Sequence, residues 1–425
     1  MRPRPTMPSG PMSRSDGAIL TSPVPFWGLR VSSSTTACSC SCLVLVRHRP
    51  GMVVCPSPMR EIHVAVPGRP YRVRLGKGAA EALGELLASV GRSRAVVVSS
   101  PPIWERHRDR IVRGLEGATW TAALVPEGER HKSAHTLQGL YDAFLQARLG
   151  RDGVVLAVGG GVVGDLAGFA AASYMRGVDW IPVPTTLLSM VDSAVGGKVG
   201  INHPKAKNLI GAFHQPRAVV ADVAFLDTLP PRERQSGAYE VLKCGIIGDR
   251  ALFEAMRAAP PGLEGWSEAA LEDAIASAVG LKARVVAEDE REGDLRRVLN
   301  LGHTLGHAFE AITGYRRLTH GEAVGWGLIG AAAIARRRGL LAVADFEAIG
   351  AAVDGLGPRP SLGRMPPERV LEAVARDKKA REGRVPFVLP TAIGEVSVVA
   401  DVTTGEVLAA LDELAARRAP RPQRA

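Results

Sequence analysis

The stretch DGVVLAVGGGVVGDLAGFAAASYM, Asp152–Met175, changes character at its glycines. Val154–Val158 is a continuous apolar run of the length of a buried strand, and beyond Gly161 small apolar residues follow in a helical pattern. Between them Gly159, Gly161 and Gly164 satisfy G-x-G-x-x-G. A strand passing through such a turn into a helix is the setting in which backbone can approach a pyrophosphate seated on the helix N-terminus. The same glycines would also serve a tight strand-to-helix turn packed through small residues, so the pattern alone leaves both readings open.

The rhythm extends outward from this stretch. Alternating apolar residues from Ile62 to Leu75 predict a hairpin, and RAVVVSS, TAALV, VVLAV and WIPVP are short apolar strands, each followed by a helical segment. Such alternation predicts a parallel sheet with crossover helices. After FLDTLPPRERQ the strand signals fade, and amphipathic segments run to about residue 420. The expected fold is α/β: a Rossmann-like N-terminal domain (59–231), a mostly α-helical C-terminal domain (232–415), and an active site in the cleft between them. Residues 416–425 form a basic tail.

The net charge of +10 resembles a nucleic-acid signal until it is located. Residues 1–58 account for +5 of it and the tail for +4, so the body is nearly neutral and carries no basic face for nucleic acid. No apolar run approaches the roughly 20 residues that span a membrane. Of five cysteines only Cys244 lies in the body, which excludes an internal disulfide there and fits a reducing, cytoplasmic setting. The leader, with nine prolines and no apolar periodicity, reads as disordered or as a mis-set start preceding Met59. Its Arg- and Ser-rich, acid-poor make-up also matches a transit peptide.

Four motifs carry chemistry. PTTLLSMVDSAVGGKVGINHPKAKNLIGAF gathers Thr185, Thr186, Asp192, Lys198, Lys205, Lys207 and Asn208 among glycines, a setting for an anionic ligand. YEVLK places Glu240 and Lys243 one turn apart: a simple i, i+3 pair, or a carboxylate available to a metal. NLGHTLGHAFE puts His303 and His307 on one helical face, without the glutamate that follows the first His in zinc proteases. HGEAV adds His320 at another helix start. Whether both paired histidines hold a metal, one does, or they are core residues is open at this level.

In this order, GGGVVGD, PTTLLSMVDSAVGGK, KNLIGAF, YEVLK, NLGHTLGHAFE and HGEAV closely resemble the 3-dehydroquinate synthases of the sugar-phosphate cyclase family, from about Met59 to Leu414. The resemblance implies NAD⁺ and a divalent metal, usually Zn²⁺ with Co²⁺ able to replace it. It assigns the metal to Glu240, His303 and His320, leaving His307 to the substrate. Cofactor contacts fall on Glu127, Gly128, Glu129, Arg130, His131 and Lys132, on Gly161, Val162, Val163, Gly164 and Asp165, on Thr185 and Thr186, on Lys198 and Lys207, and on Phe225, Leu226, Asp227 and Thr228. Substrate contacts fall on Asp192, Lys198, Asn208, Lys243, Lys282, Arg296, Asn300 and His307, with a late lysine at Lys378 or Lys379. Arg176 is expected to reach the neighbouring site of a homodimer.

The implied reaction turns 3-deoxy-D-arabino-heptulosonate 7-phosphate into 3-dehydroquinate and phosphate through transient oxidation, elimination, reduction and aldol closure. A phosphate and a carboxylate on one substrate match a site rich in Lys and Arg. Cyclases acting on substrates without the carboxylate, a metal-dependent alcohol dehydrogenase of the glycerol type and a non-catalytic binding protein are the rival readings. The chain departs from the family at Tyr239, Cys244 and Ser100-Pro101-Pro102, the last where an acidic or amide residue often meets the adenosine ribose.

Overall fold

The computed structural model describes residues 59–363, 365–375 and 385–417. The leader 1–58, most of the basic tail, and Lys378 with Lys379 lie outside the described residues.

The expected hairpin opens the fold: β1 (Arg60–Val64) pairs antiparallel with β2 (Tyr71–Leu75), Ile62 opposite Val73. After α1 (Leu83–Ser89) come β3 (Arg94–Ser99), α2 (Pro101–Gly114), β4 (Thr119–Leu124), α3 (Ala134–Gln146), β5 (Val154–Gly159), α4 (Gly161–Ser173) and β6 (Asp179–Pro184). The four strands form one parallel sheet in the order β4-β3-β5-β6. Its strands are Val-rich because both faces are covered. Val97, Leu156 and Ile181 point into the larger core, while Val96, Val98, Val155 and Ala157 pack under Leu140 and Phe144 of α3 and Leu166 and Ala170 of α4. From β3 the chain steps to β4 on one side and later to β5 on the other. The crevice beyond the carboxyl ends of β3 and β5 is therefore the switch point at which open α/β sheets bind ligands.

The helical segment expected after β6 is present but short: it ends in a π-helical turn, Ser189–Ser193, stopped by the left-handed pair Gly196 (φ 99°) and Gly197 (φ 67°). Lys198 then opens a strand: β7 (Lys198–His203) pairs antiparallel with β8 (Ala206–Phe213), and β9 (Ala218–Ala221) joins β2 in parallel.

The second half holds α5 (Pro231–Gly248), α6 (Arg250–Arg257), α7 (Glu268–Glu288), α8 (His303–Ile312), α9 (His320–Arg337), α10 (Val343–Gly355) and α11 (Pro367–Ala375). It also contains an unforeseen hairpin, β10 (Phe387–Ala392) with β11 (Glu395–Val399), before α12 (Thr404–Ala416). Helix α9 is buried from Gly321 to Ala335, as a helix apolar on all sides must be. Around it pack α5, α8, α10, α12 and β10. No helix among the described residues is long and apolar enough to cross a membrane.

Candidate active site

Three helices deliver three side chains to one point. Glu240 lies within α5, His303 is the first residue of α8, and His320 the first of α9. Close approach of the helices depends on glycine. A Cβ on Gly321 would fall 1.9 Å from the Ser236 carbonyl oxygen, so only glycine lets the start of α9 rest on α5 and bring His320 over Glu240. Gly302, at φ 76°, turns the chain into α8 against the backbone of Leu328. A capping box between Thr319 and Glu322 fixes the first turn of α9, and Arg232 grips Glu322 with Nε and Nη2, both at 2.7 Å.

The atoms converge as metal ligands would. Glu240 Oε1 lies 3.5 Å from His303 Nε2 and 3.5 Å from His320 Nε2. Tetrahedral ligands about 2.1 Å from an ion stand roughly 3.4 Å apart, so the two edges from Glu240 have the length expected around zinc. Glu240 is 1% exposed, and the imidazole nitrogens of His303 and His320 stand beside Oε1 only at the outer edge of hydrogen-bond distance, 3.5 Å, leaving a buried acceptor that a cation would satisfy. His303 Nδ1 lies 3.1 Å from the Leu301 carbonyl oxygen, which can only accept, so Nδ1 carries the proton and Nε2 offers its lone pair. Burial, with Lys243 nearby, holds His303 neutral well below the usual histidine range. For His320 burial acts in the same direction, but the carboxylates of Glu240 and Glu310 prevail and raise it to about 10 in the metal-free protein. His307 is exposed, its ring 5.3 Å from that of His303 and 5.9 Å from that of His320.

Beside the triangle stands a buried cluster of cations. Lys243 is ion-paired with Glu240 Oε2, and Lys282 with the Asp192 carboxylate on the π-helical turn. Lys282 Nζ also donates to the Asp192 carbonyl. Lys243, Lys282 and Arg296 are 2%, 6% and 2% exposed. Burial favours the protonated acid at Asp192, but Lys282 and Lys243 hold it ionised, far below its usual range. Arg296 donates to the carbonyls of Glu290 and Gly196, linking the helical half to the turn before β7.

Of the cofactor candidates, the Gly161–Asp165 turn follows β5 directly at the switch point, and Thr185 follows neighbouring β6. Gly159 is dictated by packing, since a Cβ there would meet Val163 at 2.7 Å, whereas a Cβ on Gly164 would meet nothing within 4 Å. The open space before Gly164 at the start of α4 is a cradle that suits a pyrophosphate. Val163 is a core residue, as are the side chains of Phe225 and Leu226; Asp227 and Thr228 are exposed. Thr185 is buried, and Thr186 Oγ1 accepts from the Ser189 amide at 3.1 Å. The Gly128–Lys132 loop is tied to the β7–β8 hairpin and to α4. Lys132 meets Asp165 and Asn208, each at 2.5 Å, and Asn202 donates to Glu129 at 2.8 Å. Lys207 lies 3.8 Å from Glu129, while Glu127, Gly128 and Arg130 are exposed and His131 half-buried. Arg176 is exposed after α4 with φ 65°.

Comparison with known proteins gives this geometry a lineage. Residues 122–236 match the sequence model of the 3-dehydroquinate synthase N-terminal region, and residues 237–380 that of its C-terminal region. The chain belongs to the 3-dehydroquinate synthase family. A 3-dehydroquinate synthase of Citrifermentans bemidjiense is 46% identical over 337 residues, covering 79% of this chain and 93% of the relative. Among solved structures, a 2-deoxy-scyllo-inosose synthase complexed with carbaglucose-6-phosphate, NAD⁺ and Co²⁺ is 25% identical with a TM-score of 0.76, covering 83% of this chain and 100% of that one. The 2-epi-5-epi-valiolone synthase of Streptomyces hygroscopicus, with NAD⁺ and Zn²⁺ bound, is 27% identical with a TM-score of 0.72, covering 81% and 96%.

Two carboxylates escaped the sequence reading. Glu292, at φ 60°, pairs with Lys198 at 2.5 Å and accepts from Asn300 Nδ2 at 2.9 Å, joining two candidate substrate residues. Glu310 meets His320 at 3.1 Å. Glu310 could have been found, because it stands three residues after His307 on the same helical face; Glu292 sits in an acidic loop with no periodicity to read. The departures from the 3-dehydroquinate synthase pattern are accommodated in the fold. Tyr239 is fully buried and its hydroxyl accepts from Gln235 at 3.0 Å, and burial pushes the Cys244 thiol up to about 12, so it stays protonated. Ser100 caps β3 at the switch point, 1% exposed, with an Oγ that has no partner among the described residues.

Proposed function

We propose that this chain is a 3-dehydroquinate synthase, converting 3-deoxy-D-arabino-heptulosonate 7-phosphate into 3-dehydroquinate and inorganic phosphate. The observation that carries the reading is the buried set Lys243, Lys282 and Arg296 standing next to the convergent atoms of Glu240, His303 and His320. An alcohol dehydrogenase has no need of three desolvated cations; a substrate with a phosphate and a carboxylate does. The 46% identity to a 3-dehydroquinate synthase also favours this substrate over those of the inosose and valiolone cyclases.

Residues 59–231 would form the cofactor half and 232–415 the metal and substrate half. Glu240, His303 and His320 would hold Zn²⁺, with Co²⁺ able to replace it. NAD⁺ would lie along the Gly128–Lys132 loop, the Gly161–Asp165 turn, Thr185, Thr186, Lys207 and Phe225–Thr228. When bound, the metal supplies Lewis-acid polarisation of a substrate hydroxyl, and NAD⁺ a hydride acceptor that returns what it takes.

The chain's own residues bind, orient and move protons. Lys243, Lys282, Arg296 and Lys198 offer their charges to the substrate's anionic groups, which take over from Asp192, Glu240 and Glu292 as partners. Because Lys243, Lys282 and Arg296 are desolvated and fixed before substrate arrives, little reorganisation is left for the reaction itself, while exposed Lys198 meets the substrate from the solvent side. Asn300 and Asn208 orient hydroxyls. His307, exposed beside the ligand triangle, is placed to hold or release a proton at a substrate oxygen. Arg176 would serve the neighbouring site of a homodimer, in keeping with its exposed, left-handed position.

The test is a redox balance. With heptulosonate phosphate in excess over NAD⁺, metal-loaded enzyme should release one phosphate per substrate while NADH absorbance stays flat. Stoichiometric NADH, or no phosphate release, would reject the synthase in favour of a dehydrogenase.

A further inference from the structure

A metal-binding imidazole has two nitrogens, and the partner of the one that does not bind decides which way the ring faces. In this protein the two candidate ligand rings are held differently. His303 is held by backbone, through the Leu301 carbonyl, so no partner side chain sets its orientation there. His320 is held by a side chain on another helix: its Nδ1 lies 3.1 Å from Glu310 Oε2. Glu310 is 8% exposed and stands on α8, seven residues after His303 and three after His307, so the face that presents the histidines also presents this carboxylate. The capping box fixes the backbone of His320 but leaves its ring free to turn. Glu310 is the group that stops it.

We infer that Glu310 is a positioning residue: by accepting the Nδ1 proton of His320 it fixes tautomer and ring orientation, and so makes His320 the second nitrogen donor of the cation site. The inference rests on the metal site proposed above. It also bears on the third imidazole. His307, Glu310 and His320 have potential ligand atoms within 4.8 Å of one another, so Glu310 stands where His307 could otherwise compete. The alternative is that Glu310, His307 and His320 Nδ1 hold an ion of their own. That would require His320 to give up its Nδ1 proton while Nε2 also binds a cation.

The test reads metal affinity rather than turnover. The full chain is stripped with a chelator and titrated with Zn²⁺ against a chromophoric competitor, then with Co²⁺ while the visible absorption of the bound ion is recorded. Wild type should bind one ion. Glu310→Gln, which keeps the shape and an acceptor oxygen, should weaken Zn²⁺ binding about 10-fold, and Glu310→Ala about 100-fold. Both should alter the Co²⁺ spectrum. Glu310→Asp should recover part of the affinity, and metal-free Glu310→Gln should still unfold in a single cooperative transition, at a lower midpoint because a buried charge is lost, separating positioning from a folding defect. Unchanged affinity in both variants, or two ions per wild-type chain, overturns the inference. A wild type that binds no ion would instead sink the metal site on which it rests.

Discussion

Glu240 and Lys243 share one turn of α5 and are both almost wholly buried, with side chains 1% and 3% exposed, and they form an ion pair there. Burial alone would protonate Glu240, but Lys243 and the imidazoles keep it ionised well below its usual range. Removing one partner of a buried pair leaves the other uncompensated, at a cost on the order of 3–5 kcal/mol. Lys243→Met should therefore unfold at markedly lower urea concentration than wild type when metal-free. Added Zn²⁺ should restore more stability to the variant than it gives wild type, because the ion replaces the missing charge. Equal gains in both would mean that Glu240 does not meet the ion.

His303 and His307, four residues apart, should separate cleanly by substitution. His303→Ala should lose stoichiometric zinc by elemental analysis. His307→Ala should retain one zinc per chain while turnover falls about 10²–10⁴-fold, the usual contribution of a positioned acid or base. Equal metal loss in both variants would abolish the division between them.

Ser100 offers a test of the cofactor crevice. Its hydroxyl is buried without a partner, and the next two residues, Pro101 and Pro102, have no N–H to give it. Deleting an orphaned polar group is neutral or mildly stabilising. Ser100→Ala should thus leave the thermal midpoint of the NAD-free protein unchanged or slightly raised. If the hydroxyl meets NAD⁺, the same change should raise the NAD⁺ dissociation constant about 3- to 10-fold, read by calorimetry.

His107 sets a pH dependence. Its Nε2 lies 3.2 Å from Thr228 Oγ1 and its ring stands edge-on to Phe225. Burial, together with Arg106 and Arg110, brings it down to about 4. The unfolded chain takes up this proton near pH 6.5 and the folded chain only near 4, so between those values the unfolded state holds more protons. Stability should be full above pH 6.5 and decline as pH falls towards 4. His107→Gln should flatten that stretch of the urea-midpoint profile, and an identical slope in the variant would assign it to other groups.

The sheet was legible because β3, β5 and β6 are unbroken apolar runs and the glycine turn announces the helix after β5. The β7–β8 hairpin was not. Gly200 and Gly211 interrupt its alternation, and a Cβ on either would strike the opposite strand, so the pairing is encoded by absent side chains rather than by a pattern. The second hairpin was hidden within a segment otherwise helical. At the candidate site the histidines were visible by spacing, and Lys243 by its place one turn from Glu240. Glu310 was legible in principle, three residues after His307 on one helical face, but Glu292 was not, because its acidic loop has no periodicity to say which carboxylate the fold turns inward.

Glu240, His303 and His320 come from three helices, and the chain between the first two also builds α6 and α7. No segment of the unfolded chain holds the set together, so an ion held by these three residues would find its full complement only after α5, α8 and α9 have docked. Metal would then arrive at a finished framework instead of seeding one. A grip that belongs to the native state and not to the folding transition state would act on the rate of opening. Zinc should slow unfolding while leaving refolding nearly as fast as in its absence, making the loaded enzyme durable without making it quicker to form.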